Sequence, residues 1–170
     1  MGTKALTAVL SIAISLVISS CAGYTLGGAK PKRYQSIRSI AVPQFSNDTL
    51  YPRLSVLATN STVDALGQDG TYAIRDTSSA DATLIASVAE VEYRQFRANR
   101  FDTLASDELT VRVHIKWRLV RNGQIIGSGI ASGSTNFNTG DNVGLAKQNA
   151  LPLATARTAQ KIASSLSEGF

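Results

Sequence analysis

Residues 109–126 read LTVRVHIKWRLVRNGQII, and this stretch decides the fold. Apolar and polar residues alternate along its first part, which places one set of side chains on each face of a β-strand. Asn122 and Gly123 follow directly, and this dipeptide is the strongest short-range signal for a two-residue hairpin turn. A second strand is therefore predicted to begin at Gln124 and to pair antiparallel with the first.

A two-residue turn also predicts the register of this hairpin. The predicted pairs are Arg121 with Gln124, Leu119 with Ile126, and Ile115 with Ile130. In this register three cations of the polar face stand opposite glycines: Arg118 opposite Gly127, Lys116 opposite Gly129, and Arg112 opposite Gly133. We expect this shallow basic surface to have room for an anionic or flat partner, or to be an edge held against another protein. An ordinary solvated sheet face would show the same pattern.

The segments before the hairpin predict a β-α-β unit. A short strand around residues 37–42 ends at Pro43, a helix starts near Pro52, and residues 71–75 form the next strand. Such a unit places its two strands parallel, with a right-handed connection. A long strand then begins near Ala82 and leads into the hairpin.

After the hairpin, residues 139–142 form a plausible helix cap, and a final helix with one small, apolar face follows. Pro152 is expected to kink this helix or to mark a second start. The fold class predicted from all these segments is α+β: a mixed β-sheet, β-α-β and then antiparallel strands, with two helices packed on one face.

Cys21 is the only cysteine of the chain, and it follows an apolar run over residues 5–18. That run is too short for a membrane-spanning helix, which needs about 20 apolar residues. Residues 18–21, Ile-Ser-Ser-Cys, resemble the lipobox of bacterial lipoproteins, which implies that the thiol carries lipid. We therefore expect a signal peptide at 1–20, a lipid-anchored tether at 21–35 and one domain at 36–170. Ala22 lacks the acidic side chain associated with inner-membrane retention, which favours the periplasmic side of the outer membrane.

The composition argues against several classes of function. The formal net charge is +5, which is mildly basic and not typical of a nucleic-acid-binding protein. His114 is the sole histidine and has no cysteine or second histidine with which to share a metal. The glycine-serine motifs near residues 127–134 complete neither a phosphate loop nor a nucleophile elbow. We predict no enzyme activity, no metal and no cofactor.

The order of features resembles that of a known family. The matching segments are Cys21 to Leu26, Ile37 to Pro43, a helix, Ala80 to Leu84 at the entry to a long strand, a hairpin and a terminal helix. Together they resemble the lipopolysaccharide-assembly lipoprotein family, LptE. The resemblance implies a domain that binds lipopolysaccharide, sits inside a large outer-membrane β-barrel translocon as a plug, and helps the barrel to assemble.

Two shorter matches concern ligand binding. Phe96-Arg97 resembles a Phe-Arg pair of the family, and residues 145–149 resemble the start of its last helix. The resemblance implies that lipopolysaccharide binds at Arg97, Arg100 and Lys147. The chemistry is reasonable because lipid A carries phosphates, which guanidinium and ammonium groups bind well.

Other lipoprotein classes remain as alternatives. Residues 40–45 and 80–82 are also similar to lipoproteins of periplasmic secretion pores and to activators of cell-wall synthases. Charges and glycines in the hairpin disfavour a strand pair that crosses a bilayer. A synthase activator stays open, whereas a lipid-anchored hydrolase would need a nucleophile and a base that the motifs do not supply.

Overall fold

The computed structural model describes residues 30–97, 108–138 and 142–169, and the side chains of all of these except 95–97 and 108. The predicted signal peptide, Cys21, Arg100 and the first part of the tether lie outside the described residues. Arg97 is described by its backbone alone.

The described residues form six strands, two helices and one short turn of 3₁₀-helix at Lys32–Tyr34. The strands are β1 Ser39–Ala41, β2 Ser46–Asn47, β3 Ala73–Ile74, β4 Ala82–Arg97, β5 Glu108–Arg121 and β6 Gln124–Asn138. The helices are α1 Leu54–Asp69 and α2 Val143–Ser167. None of the described helices is long and apolar enough to cross a membrane.

One mixed sheet contains all six strands, in the order β3-β1-β4-β5-β6, with β2 pairing with β4 beside this path. β1 runs parallel to both β3 and β4, whereas β4, β5 and β6 are antiparallel. The two helices pack against each other and cover one face of the sheet. The predicted α+β class, with its parallel β-α-β unit and antiparallel hairpin, is confirmed.

The hairpin forms its predicted turn but not the predicted register. Asn122 and Gly123 both have positive φ, at 50° and 77°, as a type I′ turn requires. Arg121 pairs with Gln124, as predicted. Beyond that pair a β-bulge leaves Ile126 without a partner on β5, so every later residue of β6 shifts by one.

Because of this shift, two predicted pairs are wrong, and so is the prediction that the three glycines stand opposite cations. Leu119 pairs with Gly127 rather than with Ile126, and Ile115 pairs with Ala131 rather than with Ile130. Because side chains alternate with a period of two, a shift of one residue exchanges the two faces. The three glycines therefore lie on the core face. The cations of the outer face stand opposite other residues: Arg118 opposite Ser128, Lys116 opposite Ile130, and Arg112 opposite Ser134.

Each of these glycines leaves space for a group on the core side. An added Cβ at Gly127 would overlap the Tyr34 hydroxyl, and one at Gly129 would lie 3.0 Å from the Trp117 ring. At Gly133 an added Cβ would lie 2.6 Å from the carbonyl oxygen of Ala154 in α2. The glycines thus permit the close approach of an aromatic ring, or of a helix backbone, to β6.

Helix α2 is joined to the sheet at this close approach. The buried Thr158 hydroxyl lies 3.1 Å from the carbonyl oxygen of Val113 in β5 and 2.8 Å from that of Ala154. At the N-terminus of the helix, the Asn142 side chain accepts a hydrogen bond from the Leu145 amide at 3.0 Å and so caps the helix, as predicted. The other residues of the predicted cap, 139–141, lie outside the described residues. The helix continues through Pro152 without a second start.

The last part of the predicted tether packs on the domain. Tyr34 is fully buried, and Lys30 Nζ donates to the carbonyl oxygen of Ile37 at 3.0 Å and lies 4.5 Å from the centre of the Tyr72 ring. The Tyr72 hydroxyl donates to the carbonyl oxygen of Leu166 at 2.6 Å. Burial is the main cause that raises the pKa of Tyr72 to about 12. Residues 30–37 are therefore held by the domain.

Asp81 connects β1 to the start of β4. Its Oδ2 accepts hydrogen bonds from the amides of Arg38 and Ser39, at 2.8 and 2.9 Å, and from the Ser39 hydroxyl at 3.0 Å. These bonds, led by the one from Arg38, hold the pKa of Asp81 below its ordinary 3.8.

The lowered pKa of Asp81 predicts acid-sensitive stability. The contribution of the carboxylate is complete above pH 3.8 and is lost as the pH falls through the pKa of the folded state. We expect Asp81→Asn to lower the urea midpoint at neutral pH and to flatten its decline between about pH 5 and pH 2. Asp76→Asn is the matched control at an exposed carboxylate. Equal acid profiles for the two variants and the parent chain would contradict this role of Asp81.

Candidate functional site

Three aromatic rings and one cation meet where β4 ends and α2 begins, and we call this region the aromatic end. The ring centres of Tyr51 and Tyr93 lie 6.4 Å apart, and so do those of Tyr93 and Phe137, which meet edge to face at 84°. Lys147 Nζ lies 4.9 Å from the centre of the Tyr93 ring. A cation at this distance is attracted by the ring face, so the ammonium group is held above the aromatic surface.

The residues of the aromatic end come from four separate parts of the chain. Tyr51 lies just before α1, Tyr93 on β4, Phe137 near the end of β6, and Lys147 in the first turns of α2. The Tyr93 hydroxyl is buried and has no hydrogen-bond partner among the described residues. Burial, and then the neighbouring Tyr51 hydroxyl, raise the pKa of Tyr93 above 10, so the ring beneath Lys147 stays neutral.

Two clefts flank the first turns of α2. The strand-helix cleft, of about 500 Å³, lies between β6 and α2 and is lined in part by Phe137, Leu145, Asn149 and Leu153. The interhelix cleft, of about 580 Å³, is lined in part by Tyr51, Leu57, Gln148, Asn149 and Pro152. Leu145 and Leu153 are 54% and 50% exposed, which adds apolar surface at the mouth of the first cleft.

The clefts carry few fixed charges but several polar groups. Pro152 has no amide hydrogen, so the carbonyl group of Gln148, a residue that lines the interhelix cleft, lacks the hydrogen bond that residue i+4 of a helix usually donates. Such a site suits a ligand with a large apolar part and a small number of polar groups.

Of the predicted ligand-binding residues, Lys147 lies at the aromatic end. The Arg97 backbone is at the same end of the sheet, since it is the last residue of β4 and pairs with Glu108. The Arg97 side chain and Arg100 lie outside the described residues. The structure thus places Lys147 and the Arg97 backbone at one end of the molecule.

The predicted basic face, Arg112, Lys116 and Arg118, divides into two parts. Arg112 pairs across the strands with Glu92. Glu92 accepts a 2.6 Å hydrogen bond from Arg94, and the bond and charge of Arg94, with the charges of Arg112 and His114, hold the pKa of Glu92 below its ordinary 4.5. This part is a cluster of mixed charge, in which Glu92 offsets part of the positive charge around it.

Lys116 and Arg118 have cross-strand neighbours of a different kind. Lys116 pairs with Ser87 and Ile130, and Arg118 pairs with Ile85 and Ser128, so neither has an acidic partner in register. Ile130 is 67% exposed, and Ile85 and Ile125 are exposed on the same face of the sheet. We call Lys116, Arg118 and these three isoleucines the isoleucine patch. Sequence reasoning missed it because the β-bulge decides which residues of β6 reach this face.

The chain enters the domain at the end opposite to the aromatic end. Tyr34 lies over Gly127, close to the hairpin turn, whereas Asn138 at the other end of β6 is near the aromatic end. At about 3.3 Å per residue, the distance along β6 between these positions is about 36 Å. The segment between Cys21 and Lys30 can reach about 30 Å when fully extended. A lipid anchor on Cys21 would therefore hold the hairpin end near the membrane.

Comparison with known proteins supports the fold. The chain matches no family model and none of the curated proteins. A provisionally assigned lipoprotein of Caulobacter crescentus CB15 is 26% identical, with a TM-score of 0.51 over 75% of this chain and 86% of that one. The PelC dodecamer of Paraburkholderia phytofirmans is 19% identical, with a TM-score of 0.51 over 84% of this chain and 96% of that one, and this likeness concerns the fold alone. The chain thus shares its fold with a bacterial lipoprotein, the class that Cys21 predicts.

Proposed function

We propose that this chain is a lipid-anchored outer-membrane lipoprotein of lipopolysaccharide assembly. In this function it binds lipopolysaccharide and acts as plug and assembly partner of a large β-barrel translocon. The observation that carries the proposal is the position of Lys147 over Tyr93, between two clefts and beside exposed leucines. A phosphorylated glycolipid combines the same features, since it has anionic groups next to long apolar chains.

The aromatic end matches both parts of such a ligand. The Lys147 ammonium group is a compact charge that can contact a phosphate oxygen, and the Tyr93 ring restricts where that charge lies. Leu145 and Leu153 offer apolar surface that is uncovered in the free protein. Covering apolar surface contributes about 25 cal/mol per Å², so these residues add affinity that a phosphate contact alone lacks.

The position of the tether supports a plug. The aromatic end lies about 36 Å from the place where the chain turns toward Cys21, so an anchored domain presents this end away from the lipid surface. The isoleucine patch offers apolar side chains next to Lys116 and Arg118, a mixture that is common in protein interfaces. We assign this patch to contact with the wall of the barrel.

Charge reversal tests the ligand site. We expect the triple variant Arg97→Glu, Arg100→Glu and Lys147→Glu to weaken the binding of fluorescent lipopolysaccharide at least about tenfold, which corresponds to 1.4 kcal/mol. Arg75→Glu reverses a charge on an exposed residue near the other end of the sheet and is the matched control. Thermal unfolding of each variant checks that the domain remains folded. Unchanged affinity in a folded triple variant would refute the assignment of the site.

Affinity purification from detergent-solubilised outer membrane tests the partner. We expect a large barrel protein in stoichiometric amount, and we expect Ile130→Asp to reduce its recovery, whereas the control Gln160→Glu on exposed α2 surface should not. A peptidoglycan synthase in place of the barrel would favour the activator alternative. Recovery of a self-oligomer would favour a secretion-pore subunit, an outcome of interest because a protein of the same fold forms a dodecamer.

A further inference from the structure

β6 is an edge strand, and the side chains that contact its free backbone edge differ along the strand. Within the described residues it pairs with β5 alone, so one side of its backbone faces away from the sheet. In the middle of the strand, two side chains of α2 reach that backbone. Arg157 Nη1 donates to the carbonyl oxygen of Ser134 at 2.6 Å, and Lys161 Nζ donates to that of Ser132 at 2.7 Å. Cationic side chains at an edge prevent another strand from pairing there.

The last residues of β6 lack this protection. Backbone groups of a strand repeat with a period of two, so Asn136 and Asn138 present their amide and carbonyl groups to the same side as Ser132 and Ser134. From the side chains that the structure describes, the carbonyl oxygen of Asn136 receives only a long contact of 3.5 Å, from the Thr135 hydroxyl. Among the described residues no side chain donates to the carbonyl oxygen of Asn138.

The strand-helix cleft lies along this unprotected part of the edge. Its sides are β6 from Thr135 to Asn138 and α2 from Asn142 to Leu153, with Leu145 and Leu153 facing it. A groove between an edge strand and a helix is a common site for the addition of an extended peptide. Main-chain hydrogen bonds then provide affinity, and alternate side chains enter the groove.

Charge indicates which peptide would suit the groove. Among the described residues, the first turn of α2 contains no acidic side chain, so the positive end of the helix attracts negative charge; Asp141, which precedes the cap, lies outside the described residues. Arg157 is exposed at the other end of the groove. Both ends of the groove thus favour negative charge, while Leu145 and Leu153 between them favour apolar side chains.

We propose that the β6 edge at Asn136–Asn138 takes up an extended segment of a partner protein as an added strand. The segment carries apolar residues at alternate positions, which contact Leu145 and Leu153, and an acidic residue at one or both ends. Arg157 and Lys161 set the limit of this strand, because they occupy the next carbonyl groups along the edge. This inference does not rest on lipopolysaccharide binding, although its groove shares Leu145, Leu153 and the strand-helix cleft with the proposed glycolipid site.

A displayed library of short random peptides, selected on the mature chain, tests the proposal. We expect the selected peptides to share alternate apolar residues and an acidic end. Asn138→Pro should weaken the binding of a selected peptide at least about tenfold, since it removes the outward amide. The control Ser128→Pro makes the same change on the same edge, outside the cleft, and should leave binding unchanged. Leu145→Asp tests the cleft without any change in β6 and should weaken binding to a similar degree.

The outcomes separate strand addition from other modes. Peptides without a shared pattern would overturn the proposal, and so would peptides that bind Leu145→Asp and the parent chain equally well. Equal loss of binding in Asn138→Pro and Ser128→Pro, with both variants folded, would show that the peptide does not bind specifically at the cleft, and would overturn the proposal. If Asn138→Pro does not fold, the Leu145→Asp comparison alone decides.

Discussion

Replacement of Gly133 by valine is expected to lower the free energy of unfolding by about 3 kcal/mol, or to prevent folding. An added Cβ at this position would lie 2.6 Å from the carbonyl oxygen of Ala154 and 2.7 Å from the Thr158 hydroxyl. The first atom belongs to the helix backbone and cannot rotate away. The whole of α2 would therefore have to rise from the sheet, and the bond between Thr158 and Val113 would be lost.

Urea unfolding followed by circular dichroism measures this effect. Ser128→Val is the matched control, because Ser128 is an exposed residue of the same strand and faces away from the helices. Valine has high β-propensity, so this control should be neutral or slightly stabilising. A Gly133→Val variant as stable as the Ser128→Val variant would show that α2 does not pack as closely as described.

The contrast between these two positions shows how far the sequence determines the sheet. Alternation along β5 and the Asn122-Gly123 turn are local signals, and they correctly predict the strand, the hairpin and its first pair. The bulge at Ile126, by contrast, is not predicted by any local signal in the sequence. It is explained by packing, because it turns Gly127 and Gly133 toward Tyr34 and α2, which are distant in the sequence.

The candidate site was predictable to a similar extent. Lys147 follows from a local resemblance at the start of the last helix. The aromatic surface beneath it was not predictable, because Tyr51, Tyr93 and Phe137 lie in three separate parts of the chain and meet only after the sheet and helices assemble. Ile130 of the isoleucine patch was predicted on the core face, opposite Ile115, and this was wrong because one inserted residue reverses the faces of a strand.

Replacement of Tyr34 is the second substitution that we expect to have a large effect on the free energy of unfolding. Its side chain is fully buried, and it covers Gly127 although it precedes the first strand. We expect Tyr34→Ala to lower the free energy of unfolding by about 3–5 kcal/mol, as for other buried aromatic residues. Tyr34→Phe should be at least as stable as the parent chain, because the Tyr34 hydroxyl is buried without a partner among the described residues.

The two variants separate the contribution of ring packing from that of the hydroxyl group. The dependence of stability on pH provides a second test of the hydroxyl group. Burial raises the pKa of Tyr34 above 10, so the contribution of the neutral hydroxyl is complete below pH 10 and is lost as the pH rises through the pKa of the folded state. Tyr34→Phe should therefore lose less stability at high pH than the parent chain. If Tyr34→Phe is instead less stable by more than about 1 kcal/mol at neutral pH, the hydroxyl has a partner after all.

The Tyr34→Ala variant also tests how the anchor acts on the domain. If Tyr34 no longer packs, residues 30–36 are released from the domain, and the maximum reach of the chain between Cys21 and the domain grows from about 30 Å to about 50 Å. A longer flexible link lowers the effective concentration of the domain at its partner. In cells we expect less of the proposed barrel complex than with Tyr34→Phe, even at a temperature where both variants are folded. Equal amounts of complex would show that the length of the tether does not matter to assembly, and that Tyr34 serves stability alone.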